Sequence, residues 1–452
     1  MLTALLSLFI VLAVVSPAHS AAGSKSSTLD RDAAAAFQQA DYDRVLRLWQ
    51  SLSPDAAPSR SFLRLVLLSQ LKLGRPEEAL VLYDRAFAGE QTDDRALLRA
   101  LALAMVTAHV RDLQEYARIA AYSVLAELGL PETQSILEDG LLDGSPVVRA
   151  RAVEALGRAG LAGKSGALRR SLLDNTTAVR IAAMNVLSDA KIADIMPRLI
   201  DVARSEDGPE GVFAYAALYR LGKEDMLTDI VGAATLPDPE TRMAALGVLG
   251  KLKRPSTLAI LAQGVYDPDP SVRAFAAGAL GDFGQPGAVA PLSHALGDEH
   301  ARVRGVAAAS LGRLGIRENR PLLQALTRDA SMQVRAQAVE GLLRLGDSTA
   351  VLVAADLARH PDPSVRASAA QALSVTADQQ TLGILRALLE DQQPQPRLFA
   401  ARALGKTPNA AVPLLKKGLH DSDTAVRVTA AGSLVQQLDR DSKSSNRQGR
   451  KG

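Results

Sequence analysis

An arginine returns at a fixed interval through most of this chain. Arg242, Arg273, Arg304, Arg335, Arg366 and Arg397 stand 31 residues apart. Backwards, the register reaches Arg180, Arg149 and Arg118; position 211 is Gly211, and the last member, Arg427, comes one residue early. Three residues after this arginine position all eleven units carry alanine, from Ala121 to Ala430, and seven after it all carry leucine, from Leu125 to Leu434. Two apolar columns at a period near 30 mark a stack of helical units, each burying one face against its neighbours. Local signals within Tyr266–Gly281 agree. Asp269 suits an N-cap and Pro270 the first helical position, while Val272, Ala276 and Leu280 share a face. Gly281 reads as a helix end. The prediction is an all-α solenoid of about eleven 31-residue helix pairs, not the two or three globular domains that 452 residues would otherwise suggest. Eleven layers at about 10 Å each predict a rod or arc on the order of 110 Å.

The flanks differ from the array. Leu2–Val15 is an uncharged apolar run, with Ala18 and Ser20 suitably small for signal-peptidase cleavage after Ser20. The run is shorter than the roughly 20 residues that span a membrane comfortably. Residues 1–20 are therefore predicted to be a signal peptide and the protein to be exported, in a bacterium to the periplasm; the alternative is a membrane tether through an uncleaved segment. The cysteine-free composition rules out disulfides, thiolate metal sites and a lipid-modified cysteine. Residues 21–31 read as a linker. Residues 439–452 lose all apolar periodicity and are predicted to be a disordered basic tail.

Two family resemblances follow from the residues. Gly74, Ala79, Tyr83 and Ala86 have the spacing of a tetratricopeptide repeat, and Ala40, Val45, Trp49 and Leu52 fit the same frame loosely. Residues 32–107 thus resemble a short tetratricopeptide-like helical region. The recurring pattern D-x-D/S-P-x-V-R-x-x-A-x-x-A-L-G resembles HEAT repeats, in particular the short HEAT-like repeats of phycobilisome lyases, and covers residues 108–438. The resemblance implies a right-handed superhelix with the second helix of each pair on the concave surface. The fourth unit departs most, with Gly211 for arginine and Ser205 for aspartate.

Nothing in the pattern points to catalysis. Eight units carry aspartate six residues before the arginine position, among them Asp143, Asp174, Asp298 and Asp329. An acid and an arginine repeated in unit after unit suit a repeated junction, because arginine's planar fork can bridge a carboxylate and turn carbonyls. A catalytic site would be unlike its neighbours. His300, His360 and His420 lie in turns of separate units, too far apart to share a metal. Deoxyhypusine hydroxylase is built from similar repeats but binds iron through His-Glu pairs, and the only adjacent pair here is reversed, Glu299-His300. No catalytic, metal or cofactor site is expected. Asn175-Thr176-Thr177 is a formal glycosylation sequon, relevant only in a eukaryotic secretory pathway.

Side chains two, five and nine residues after the arginine position share one outward face of the second helices. They supply the candidate partner-binding residues Arg151, Arg158, Phe213, Arg220, Lys251, Phe275, Arg313, Arg344, Phe399, Arg402 and Lys406, against acids such as Glu127, Asp189 and Asp282. A mildly basic groove with scattered aromatics suits protein partners. The sequence therefore predicts a non-enzymatic, protein-binding scaffold or adaptor of the cell envelope. Its alternatives are a lyase-like or chaperone-type subunit acting on a cofactor-bearing protein and a weak polyanion binder. A formal net charge of +3 on 101 charged residues argues against the latter and against nucleic acid.

Overall fold

The computed structural model describes residues 28–53, 56–87, 94–205, 208–376, 378–407 and 411–448, with side chains to residue 440. The expected signal peptide of residues 1–20 lies outside the described residues. No strand occurs among the described residues, and none of their helices is long and apolar enough to cross a membrane.

Five helices come first: α1 (Thr28–Gln38), α2 (Tyr42–Gln50), α3 (Arg60–Lys72), α4 (Pro76–Phe87) and α5 (Arg95–Thr107). Helix α1 begins inside the segment expected to be linker. Asp41, Ser59 and Asp94 each accept a backbone N–H from the first turn of the helix that follows, satisfying donors that a helix start leaves unpaired. Gly74 closes the α3–α4 turn at φ 72°, and Ala79 and Tyr83 are buried as the tetratricopeptide-like spacing requires.

The eleven units follow. Their second helices are Glu115–Leu128, Pro146–Arg158, Thr177–Asp189, Pro209–Arg220, Pro239–Leu252, Pro270–Phe283, Ala301–Leu314, Met332–Arg344, Pro363–Leu373, Pro394–Leu404 and Thr424–Gln448. Each packs along its length against the next, whereas the short first helices between them barely touch one another. The second helices are therefore the inner layer. Small residues set their close approach. A Cβ on Gly312 would stand 2.3 Å from the Gly341 Cα, and one on Gly250 would stand 2.6 Å from the Ala279 carbonyl oxygen. Gly281 belongs to this set. It lies inside its helix against Ser310, and the helix ends instead at Gly284, φ 73°. Tight inner contacts and loose outer ones bend the stack.

The bend goes to completion. The eleventh inner helix packs against the first, and α5 packs on the eleventh from outside. A Cβ on Gly432 of the eleventh would stand 2.2 Å from Val124 Cγ1 of the first, as close as the contacts between consecutive units. Arg99 of α5 donates to both carboxylate oxygens of Asp439, at 2.5 and 3.1 Å, and Arg402 pairs with Glu127 at 3.0 Å. The expected rod or arc is thus a closed ring. Eleven helices about 9 Å apart give a circumference of about 100 Å and, less one helix thickness, an opening of about 20 Å. Two expected boundaries shift accordingly. Helix α5, assigned to the head, serves as the outer helix of unit one. Residues 439–448, expected to be disordered tail, continue the eleventh helix, whose Asp439 is held at the seam.

The arginine column is the mortar. Arg273 Nε donates to Asp298 of the next unit at 2.7 Å and its Nη2 to the other oxygen at 3.1 Å, while Nη1 donates to the Asp267 carbonyl of its own turn at 3.0 Å. The same arrangement links Arg118 to Asp143, Arg149 to Asp174, Arg242 to Asp267, Arg304 to Asp329, Arg366 to Asp391 and Arg397 to Asp421. Unit four repairs its missing aspartate: Arg180 pairs with Glu210, which is buried. At the end of the array Arg427 meets Glu77 of α4 at 3.9 Å, so the head lies against the last turn of the array. His420 and Lys416 join it, at 3.1 Å from Asp84 and over the Tyr83 ring at 5.3 Å.

Candidate functional site

The inner wall is not uniform, because side-chain size in three columns varies from unit to unit. Five residues after the arginine position, units five and six carry Gly247 and Gly278. Two residues after it, units four to seven carry Phe213, Ala244, Phe275 and Val306. Small residues flanked by larger apolar ones leave a trough of about 490 Å³ across these inner helices. Gly247 and Gly278 form the floor, with Phe213, Met243, Phe275 and Val306 as apolar walls. Phe275 keeps 44% of its surface exposed, unusual for an aromatic ring without a partner.

Polar groups ring this surface. Arg220, Lys251, Arg302 and Arg313 line it against one carboxylate, Asp282. Arg220 belongs to the wall: it donates to Asn185 Oδ1 at 2.9 Å and lies 3.2 Å from Asp189. Burial pushes its guanidinium pKa down, opposed by the Asp189 charge. Arg313 is held more loosely, donating to Ser310 Oγ at 2.8 Å with Asp282 at 3.9 Å. Lys251 and Arg302 are exposed. The result is an apolar bed edged by cations. Such a surface holds an apolar side chain flanked by acidic groups, and it offers no nucleophile paired with a base.

Five of the residues singled out from sequence, Phe213, Arg220, Lys251, Phe275 and Arg313, converge here. Three others, Arg158, Arg402 and Lys406, meet at the ring seam. There they line a second space of about 850 Å³ with Glu127, Asp439 and Arg440. Arg158 spends one donor on the Ala126 carbonyl at 3.2 Å. Arg151 and Arg344 lie outside both spaces, paired within their own helices to Glu154 at 2.8 Å and Glu340 at 2.9 Å. Phe399 is partly buried against the core. The sequence pattern did not point to Met243 and Arg302, which fall outside the three columns, or to the floor glycines, whose contribution is the room they leave.

The acids of the column sit in ion pairs between units. The guanidinium of the preceding unit holds the carboxyls of Asp174, Asp329 and Asp391 below the usual carboxylate range. They are stable anions in structural pairs. Among the described residues no cluster of three or more His, Cys, Asp or Glu could hold a metal ion.

A sequence profile described as HEAT repeats matches residues 103–188, 258–320, 319–398 and 384–445. No curated protein matches the sequence. Among solved structures, the complex of CpcE and CpcF of phycocyanin lyase from Nostoc sp. PCC7120 is 23% identical, over 46% of this chain and 94% of that one, with a TM-score of 0.35. Human deoxyhypusine hydroxylase is 22% identical over 61% of this chain and 96% of its own, with a TM-score of 0.29. Kap121p bound to Nup53p is 14% identical over 92% of this chain and 54% of its own, with a TM-score of 0.36.

Proposed function

The chain belongs to the HEAT-repeat family, and on that premise we propose that it is a non-enzymatic scaffold whose ring holds a protein partner on its inner wall. The observation that carries this reading is the trough of units four to seven, apolar at its centre and edged by Lys251, Arg302 and Arg313. Repeat solenoids use their continuous concave surface for binding. An apolar anchor in a desolvated bed with a charged rim is the arrangement in which a few residues dominate affinity. The partner segment should present an aromatic or aliphatic anchor beside aspartate or glutamate. The apolar run Leu2–Val15 supports export, so the partner is sought in the cell envelope.

The test uses the full chain as bait against the envelope fraction of its source cell, beside three variants. Phe275→Asp places a charge in the apolar bed, Lys251→Glu reverses the rim, and Arg344→Glu alters the same helix face outside the trough. A partner that is lost with the first two and kept with the third confirms the assignment. Equal retention by wild type and Phe275→Asp refutes it, and recovery of the chain only from cytosol refutes the export proposal.

A further inference from the structure

Closing the ring upsets the balance of charge at the seam. Within the array, a cation nine residues after the arginine position leans on the acid at the same place in the preceding unit. Arg220 lies 3.2 Å from Asp189, and Arg313 lies 3.9 Å from Asp282. Arg158 has its counterpart in Glu127, 31 residues earlier. That pair is not made. Glu127 turns instead to Arg402 of unit ten at 3.0 Å, and among the described residues Arg158 is left with the Ala126 carbonyl at 3.2 Å.

The same space of about 850 Å³ also gathers Lys406 from unit ten and Arg440 from unit eleven. Its second carboxylate, Asp439, is held by Arg99 of α5 at 2.5 Å. Arg158, Lys406 and Arg440 are exposed, and among the described residues none of the three pairs with a carboxylate. Three cations from three units therefore face one cavity whose own acids are engaged elsewhere. Like charges gathered in this way repel, and an anion placed between them turns the repulsion into attraction. The volume falls in the range of sites that hold whole small molecules, roughly 300–1,000 Å³, rather than a bare ion. Two guanidinium forks and one ammonium arriving from different units suit oxygens that point to several sides. A tetrahedral phosphate group offers them, and a planar carboxylate does not.

We propose that the seam binds a phosphate-bearing small molecule, which lies between Arg158, Lys406 and Arg440 and fastens the ring. The site is complete only when the first and last units meet. Binding and closure are therefore linked, because a ligand that binds the closed form alone stabilises it. The site is separate from the trough and does not depend on what the trough holds.

Tripolyphosphate, titrated calorimetrically into the full-length chain at physiological ionic strength, tests this directly. Wild type should bind one equivalent. Lys406→Met and Arg440→Met should each bind about tenfold more weakly, the effect of one charge-assisted hydrogen bond. Arg344→Glu, outside the seam, should bind as wild type does, and Gly432→Val should bind more weakly because it parts the seam. Tripolyphosphate should also slow hydrogen exchange of the eleventh inner helix in wild type and not in Lys406→Met, a response that a purely structural lysine would not give. Phosphatidylcholine vesicles with and without phosphatidic acid identify the source of the phosphate: displacement of tripolyphosphate by the acidic vesicles alone assigns the site to a lipid headgroup, and no displacement assigns it to a soluble ligand. The proposal is overturned if wild type does not bind tripolyphosphate, if Lys406→Met and Arg440→Met bind it as tightly as wild type, or if Arg344→Glu weakens binding as much as they do.

Discussion

Gly432 sits at the ring seam, and substituting it gives a quantitative prediction. In Gly432→Val the new Cβ would start 2.2 Å from Val124 Cγ1 and 3.2 Å from its Cγ2. Carbon atoms rest about 3.5–4.0 Å apart, so the two helices must separate by about 1.5 Å. Val124 is β-branched and cannot swing aside without leaving its preferred rotamer. A gap of that size forfeits a large part of the dispersion contact along the seam. The cost should reach the upper end of overpacking penalties, about 3 kcal/mol. In a repeat array that cost stays at one interface, because each unit contacts only its neighbours. Native-state hydrogen exchange should report it as about hundredfold faster exchange confined to the eleventh inner helix and its seam partners. Two controls bracket the effect. Gly312→Val meets the Gly341 Cα at 2.3 Å within the array and should perturb units seven and eight equally, whereas Gly383 has nothing within 4 Å and Gly383→Val should be silent. If Gly432→Val exchanges like Gly383→Val, the seam is not closed in solution and the reasoning fails.

Other consequences follow from the ladder. Arg304→Met should lower stability by about 2 kcal/mol by leaving Asp329 without its charged donor, read from urea midpoints, whereas Arg335→Met should cost less, since Arg335 donates to the Asp329 carbonyl of its own turn and His360 stands where the next aspartate would be. Glu210→Ala should lower stability, because it removes the buried carboxylate that accepts from both Arg180 Nε and Nη2; an effect no larger than that of an exposed Glu→Ala change would remove Glu210 from the ladder. Asp174, Asp329 and Asp391 have folded pKa values depressed by arginine. Their stabilisation is therefore complete above the unfolded carboxylate pKa near 3.9 and is lost as pH falls through the lower folded values. Urea midpoints should fall steeply below about pH 4, and a flat profile down to pH 3 would contradict the pairing.

Much of this protein is written in its local pattern. The alanine and leucine columns dictate the helix pair, and a serine or aspartate N-cap before proline marks where the inner helices of units two, five, six and nine start. The arginine–aspartate register dictates a junction that depends only on the next unit, so a period in sequence becomes a period in space. Even the trough was partly legible, because columns two, five and nine residues past the arginine project from the same face and bring Phe213, Lys251, Phe275 and Arg313 together. Glu210 was not legible: it stands one residue before Gly211 rather than in the aspartate column, and only its burial beside Arg180 reveals its place. Closure was less legible still. It depends on a small rotation per unit summed over eleven units, and on whether Gly432 and Val124, more than 300 positions apart, arrive at the same point. A repeat pattern sets each step of that sum to within a few degrees, and an error of that size, multiplied by eleven, separates an open arc from a ring. Only the packed tertiary structure, where every inner contact has its actual thickness, decides between them.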